Sequence, residues 1–238
     1  VPSHKRAPSS QLSIQTSRGF ISTDITHIVV DLCRTFEPNH PISIVDYGTG
    51  QASLLTMISQ VAKIFPQRTF VFTGYDPHLD PTLGSGLLLS RLIAASHGSN
   101  HRFEFCSTLP HHADIVCAHF SLHHTPNLTI ACREISTMNP RHLLVADYDF
   151  TDPPIDIDGL IAHFEQTQAG RDELALFVHQ AGGNVTKGHI DCWKFHLHYG
   201  FKDYLDAIEK AVGNVKTVTL PQKRFSFEKR KFLIAVEL

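Results

Sequence analysis

From residue 40 onward, compact apolar runs alternate with stretches whose apolar positions recur at helical spacing. Five runs read as strands: Ile42 to Asp46, Phe70 to Tyr75, Arg102 to Cys106, Asp114 to His119 and His142 to Asp147. Each is short and apolar, as a strand buried on both faces should be. Between them, Ala52 to Ile64 places Leu54, Leu55, Ile58, Val61 and Ala62 on one helical face, and Leu87 to Ala95 and Leu128 to Met138 repeat the pattern. An earlier helix, Thr23 to Phe36, is expected to pack over the front of the sheet. The alternation predicts an α/β fold, a mainly parallel sheet with helices on both faces.

The rhythm changes after Asp147. Thr151-Asp-Pro-Pro154 breaks the chain, and Asp158 to Gly183 reads as helical, ending at Gly182-Gly183. We read this as a helical insertion before the last units. Tyr204 to Val212 predicts a helix, and the β-rich runs Lys216 to Leu220 and Lys231 to Val236 predict an antiparallel hairpin. The chain therefore divides into a tail and cap helix (1–40), a core (41–150), the insertion (151–200) and a closing helix with edge strands (201–238).

Composition narrows the class. In 238 residues, 42% hydrophobic content is enough for one large globular core and excludes intrinsic disorder. With 21 Lys and Arg against 23 Asp and Glu, there is no overall basic field, so nucleic acid would need a local patch. The five cysteines are widely spaced, odd in number and free of any C-x-x-C pair, which argues for reduced thiols rather than a disulfide framework or a thiolate zinc site. The amino-terminal segment lacks the apolar stretch of a signal peptide, and no run reaches the roughly 20 apolar residues of a membrane span. A soluble, cytoplasmic protein is expected, with Asn127-Leu-Thr129 and Asn184-Val-Thr186 as chance sequons.

The most informative stretch is Ile42-Ser-Ile-Val-Asp-Tyr-Gly-Thr-Gly-Gln-Ala-Ser53: a strand, an acid at its end, a Gly-x-Gly turn, then a helix. Gly48 and Gly50 permit positive φ and close backbone approach to a ligand across the strand's carboxyl end. A nicotinamide fingerprint would need glycine where Ser53 stands, and would put a pyrophosphate beside Asp46, where like charges repel. An acid before the glycines suits a ligand carrying positive charge.

Here the chain resembles the class I S-adenosylmethionine-dependent methyltransferases. The resemblance rests on Val45-Asp-Tyr-Gly-Thr-Gly50, Gly74-Tyr-Asp-Pro77, the run from Ala113 to His124, and Arg133 to Pro140 leading into Leu143-Leu-Val-Ala-Asp147. It covers about residues 40–150. The resemblance implies a Rossmann-like, mainly parallel seven-stranded sheet in the order 3-2-1-4-5-7-6 and S-adenosyl-L-methionine as cofactor. It implies cofactor contacts from Asp46, Tyr47, Gly48 and Gly50, from Asp76 and Pro77 at the ribose, from Ser107 at the adenine, and from His119 and Phe120 at the methionine end. The chain departs from the family's pattern at Ser107, where an acid is often found, and at Ala52, where a third glycine is frequent.

His123 and His124 are the candidate catalytic residues, since imidazole titrates near neutrality and could take a proton from an acceptor. The alternative is that both only brace the loop. No H-E-x-x-H or comparable cluster occurs among the 17 histidines, and no metal is assigned; Asp147 and Asp149 are the acids that keep one in view. Asp152-Pro-Pro-Ile155 lacks the aromatic that stacks on a flipped base, and reads as a helix-entry turn. The expected acceptor is a small molecule, roofed by the insertion with Trp193, Phe195, His196 and Tyr199. Two alternatives stand beside it. One is an RNA or protein methyltransferase docking through the basic Lys223 to Lys231 segment, and the other is a non-catalytic scaffold that keeps the fold.

Overall fold

The computed structural model describes residues 21–50, 53–77, 101–149, 151, 156–172, 199–213, 216–223 and 230–238. Among the described residues, one seven-stranded sheet runs β3-β2-β1-β4-β5-β7-β6. Its strands are β1 (Ile42–Tyr47), β2 (Phe70–Tyr75), β3 (Arg102–Cys106), β4 (Ile115–His119), β5 (His142–Tyr148), β6 (Lys216–Lys223) and β7 (Arg230–Glu237). The first five pair in parallel, and β7 joins β5 and β6 antiparallel. This is the order expected from the sequence.

Alternation along the strands sorts the core into two layers. Ile42 and Ile44 of β1, Phe70 and Phe72 of β2, Ile115 and Cys117 of β4, and Leu144 and Ala146 of β5 face one way. Helix α1 (Ile21–Thr35) covers that side with Ile25, Ile28, Val29, Leu32 and Cys33, a stripe at helical spacing. Val45, Tyr47, Val116, Ala118, Leu143 and Val145 face the other way. There they meet Leu128, Ala131, Cys132 and Ile135 of α4 (Leu128–Thr137) and Tyr204, Ala207 and Ile208 of α6 (Phe201–Val212).

Three elements differ from expectation. The helix read over Ala52 to Ile64 is two pieces, α2 (Ser53–Ile58) and α3 (Val61–Ile64). The hydrogen bonds tighten to a three-residue spacing at Gln60 N–H to Met57 O, 3.1 Å, and Ala62 N–H to Ser59 O, 3.1 Å. The expected stripe survives the break, with Leu54, Leu55, Ile58, Val61 and Ala62 all buried. In the insertion, α5 (Ile157–Gln166) ends at Thr167, whose hydroxyl donates to His163 O at 2.8 Å and accepts from Gly170 N–H at 2.9 Å. One side chain thus closes a helix and caps the next helical run, 168–172. Strand β3 is partly exposed rather than buried on both faces, because it forms the sheet edge with β2 as its partner.

Pro221 lies in β6, the opposite edge, where a missing backbone donor is tolerated. Asn127 is the N-cap of α4, its side chain accepting from Ile130 N–H at 3.1 Å. The helix expected at Leu87 to Ala95, the Gly182-Gly183 stop and the Asp152 to Ile155 turn lie outside the described residues. No described helix is long and apolar enough to cross a membrane.

Candidate active site

The candidate site is built at the carboxyl ends of the parallel strands, where open α/β sheets place their ligands. The turn after β1 needs its glycines. Gly48 has φ +73° and Gly50 φ +47°, both in the left-handed region. The N–H groups of Gly48 and Thr49 donate to Tyr75 O at 2.7 and 2.9 Å, which ties the turn to the end of β2. A Cβ at Gly48 would stand 2.5 Å from the Ser121 Cβ, whereas one at Gly50 would meet nothing within 4 Å among the described residues. The Ser121 hydroxyl donates to Tyr47 O at 2.7 Å and clamps the β4 loop onto this turn. Gly48 is therefore needed for packing, while Gly50 leaves bare backbone facing open space.

Asp76 lies beside that space, its Oδ2 accepting from Gly50 N–H at 3.2 Å. Pro77 and Ser107 are exposed just beyond the ends of β2 and β3, and Asp76 N–H donates to Cys106 O at 3.1 Å. The structure thus brings Gly50, Asp76, Pro77 and Ser107 to one rim. Asp46 is different. It is buried beneath the turn, accepting from the Thr49 hydroxyl at 2.7 Å and from the Leu55 backbone N–H. Burial pushes its carboxyl up to about 7; the two hydrogen bonds oppose the rise and Asp76 adds to it. Its visible work is to brace the glycine turn. Tyr47 offers the site its backbone, for its side chain turns toward α4 and its hydroxyl donates to Glu134 Oε2 at 2.6 Å.

The loop after β4 carries the titratable groups. Phe120 takes φ +50°, an uncommon conformation for a large side chain, and its N–H donates to Ala146 O at 2.8 Å. The His119 ring lies 4.4 Å from the Phe120 ring, which lies 4.6 Å from Tyr148. Burial pushes the His119 imidazole down to about 4, so it is neutral at physiological pH; Asp147 opposes that shift and Lys231 reinforces it. The Lys231 ammonium stands 5.2 Å from the Phe120 ring centre and 5.6 Å from that of Tyr148.

A short 3-10 turn, Leu122–His124, then sets His123 against the end of β5. The Asp147 carboxylate receives His123 twice: Oδ1 from the ring Nδ1 at 2.7 Å and Oδ2 from the backbone N–H at 3.1 Å. Asp147 is fully buried, and the His123 side chain keeps 10% of its surface exposed. With Nδ1–H donated to the carboxylate, Nε2 is the ring nitrogen left unprotonated in the neutral imidazole. His124 is exposed, its ring 4.0 Å from that of His123.

Sequence reasoning named both histidines but missed the acid that orients one of them. The signal was Asp147 itself, an acid ending β5 next to β4, weighed only as a metal ligand. Among the described residues, no group of three or more His, Cys, Asp or Glu is placed to hold a metal ion. Of the expected roof, Tyr199 is described, with its hydroxyl donating to Thr125 O at 3.1 Å; Trp193, Phe195 and His196 lie outside the described residues.

No protein-family model matches the sequence, and no curated protein matches it either. Solved structures do share its fold. The carbon methyltransferase CurJ superposes with a TM-score of 0.56 at 12% identity, over 91% of this chain and 53% of its own. The CMeT domain of the citrinin polyketide synthase gives 0.51 at 14% identity, over 91% and 52%. Phosphoethanolamine N-methyltransferase 2 of Haemonchus contortus, in complex with S-adenosyl-L-methionine, gives 0.52 at 10% identity, over 90% and 52%. This chain spans about half the length of these solved chains. Likeness at such identities is a likeness of fold alone, and the fold is one that these three solved methyltransferase structures share.

Proposed function

We propose that the protein is an S-adenosylmethionine-dependent methyltransferase that acts on a small-molecule acceptor, with His123 as general base. The observation that carries this reading is the pairing of two half-sites at the carboxyl ends of neighbouring parallel strands. A glycine turn with open backbone at Gly50 lies beside the Asp76 carboxylate, and a buried carboxylate holds His123. The residues present fit the donor: Gly50 leaves the space a Cβ would fill, and a carboxylate is the side chain suited to accept from a pair of ribose hydroxyls. The solved Haemonchus enzyme, which shares the fold, has S-adenosyl-L-methionine bound.

Asp76 would accept from the ribose, Ser107 and the β3 end would read the adenine, and His119 with Phe120 would flank the methionine end. When bound, the donor supplies a methyl carbon made electrophilic by a sulfonium sulfur. The chain's task is then to orient the acceptor in line with that carbon and to exclude water. With Nδ1 held by Asp147, His123 Nε2 would take the proton that the acceptor atom gives up on methylation, the electron pair of the broken sulfur–methyl bond leaving with the donor's sulfur. The proton rests on Nε2 until solvent removes it. An imidazole oriented by a buried carboxylate at the carboxyl ends of the strands supports an enzyme over a scaffold.

Calorimetry with S-adenosylmethionine and its demethylated product tests the reading. Saturable binding of both is expected. Absence of binding to either would overturn it, and salt-dependent retention on RNA would replace the small acceptor with a nucleic acid.

A further inference from the structure

Among the described residues, the hydrogen bonds to the acid behind His123 leave one of its acceptor sites to spare. A carboxylate offers about four lone-pair sites. On Asp147, Oδ1 accepts from His123 Nδ1 at 2.7 Å and from Tyr148 N–H at 2.9 Å, and Oδ2 accepts from His123 N–H at 3.1 Å. Asp147 is fully buried, so water does not fill the fourth site cheaply.

An unmet donor stands next to it. The hydroxyl of Tyr204, on α6, is buried and has no hydrogen-bond partner among the described residues. Its position follows from the ladder: Asp147 pairs with Phe232 of β7, and the Tyr204 ring packs edge-on against Phe232 at 4.8 Å. Tyr204 thereby covers the sheet face into which Asp147 projects. Apart from burial, Asp147 is the group that acts most strongly on the Tyr204 hydroxyl, and together they raise its pKa well above the usual value. On its other side Tyr204 meets Tyr199 at 6.1 Å, whose hydroxyl holds Thr125 O at the end of the His123 turn.

We propose that Tyr204 is a positioning residue, whose hydroxyl donates to the fourth acceptor site of Asp147 and so sets both the orientation and the basicity of His123. Tyr204 touches neither donor nor acceptor and works through Asp147. By sharing the carboxylate charge it weakens the carboxylate's stabilisation of the imidazolium. The catalytic part of this inference rests on the reading of His123 as the base; the structural part does not.

The test follows the His123 ring nitrogens by NMR across pH in protein labelled with nitrogen-15 at histidine, the resonances being assigned by their loss in His123→Gln. Other ionisable groups facing the pair are His124 on the same turn, His119 on β4, Lys231 on β7, and Tyr199 and Asp203, so every variant is compared with wild type over one pH series. In Tyr204→Phe, the carboxylate charge is no longer shared and the His123 midpoint should rise by about half a unit, roughly threefold in the protonation equilibrium. In an Asp147→Asn background the same substitution should leave the midpoint in place. A Tyr204→Phe midpoint equal to wild type would overturn the proposal. If Tyr204→Phe does not fold, Phe232→Leu, which removes the ring that holds Tyr204 in place, should shift the midpoint in the same direction, and no shift would again overturn it. In active protein the acid limb of kcat/KM should move with the midpoint while donor KM stays constant. The NMR readout needs neither donor nor acceptor. A shift in protein that binds no S-adenosylmethionine would defeat the methyltransferase reading alone, and donor binding without a shift would defeat this inference alone.

Discussion

At the scale of single residues, the two acids of the glycine turn separate by environment. Asp76 lies at the open rim and Asp46 beneath it, although both end a parallel strand. Asp76 is the one placed to meet a ligand. Hydrogen bonds to a charged acceptor contribute roughly 1.5–3 kcal/mol each, so Asp76→Ala should weaken S-adenosylmethionine binding at least about tenfold. Asp76→Asn keeps the shape but loses the charge and an acceptor, and should fall between. Calorimetric affinity for Asp76→Ala equal to wild type would remove the ribose role. Asp46 makes a prediction about folding instead. Its carboxyl holds a proton up to about pH 7 in the folded chain against an ordinary 3.8. Between those values the folded state binds more protons than the unfolded one, so this group's contribution to stability falls as pH rises through that window. The slope is at most about 1.4 kcal/mol per pH unit. Denaturant unfolding of Asp46→Asn at several pH values should show that slope flattened relative to wild type. An unchanged slope would mean that the carboxylate stays charged throughout.

Among the elements, the short turn after β4 decides between a structural and a catalytic loop. Both histidines stand on Leu122–His124, yet only the His123 ring is held by Asp147, while His124 is exposed. His123→Ala should therefore lower turnover by about a hundredfold or more, the usual worth of a positioned base, with donor affinity nearly unchanged. His124→Ala should retain most activity. Equal loss in both variants, measured as kcat at saturating donor, would return the loop to a bracing role. These two residues also show what a sequence carries and what it withholds. The strands and the glycine turn were legible because they are local: a short apolar run, a Gly-x-Gly turn and a periodic stripe each speak through neighbours in the chain, whereas the strand order came from the resemblance. The His123–Asp147 pair joins positions separated by a helix, and nothing in the spacing between them distinguishes an orienting acid from a metal ligand. It becomes visible only when β4 and β5 lie side by side with His119 opposite Ala146, which brings Asp147 level with the turn. Likewise the charge expected at Asp46 for a cationic ligand was read from residue type, whereas burial and the Thr49 hydroxyl, which together determine its state, are properties of the packed loop.

Over the whole molecule, the last strand in the chain is not the last in the sheet. β7 is inserted between β5 and β6, pairing with β5 from His142↔Glu237 to Tyr148↔Lys231. It feeds both layers, with Leu233 in the core under α1 and Phe232, Ile234 and Val236 in the core under α4 and α6. Phe232 also stands beside Asp147 and supports Tyr204, so the carboxyl-terminal strand reaches the candidate base as well as the core. Without β7, strand β5 would present a long apolar edge of unpaired backbone groups, a template for pairing with another chain. One side of the sheet, beyond β5, therefore waits for residues from the last strands, and such non-local pairing slows folding and exposes intermediates to aggregation. A chain ending at residue 213 should elute in size-exclusion chromatography as larger species than the full chain does, and should fail to bind S-adenosylmethionine although every residue of the glycine turn and of the Asp76 rim is present. Substitution of Ile234 by Asp, which puts an unpaired charge at the centre of β7, should produce the same two losses in the full-length chain. A monomeric, donor-binding protein of residues 1–213 would show that the first five strands fold alone, and that β6 and β7 serve only to cover their edge.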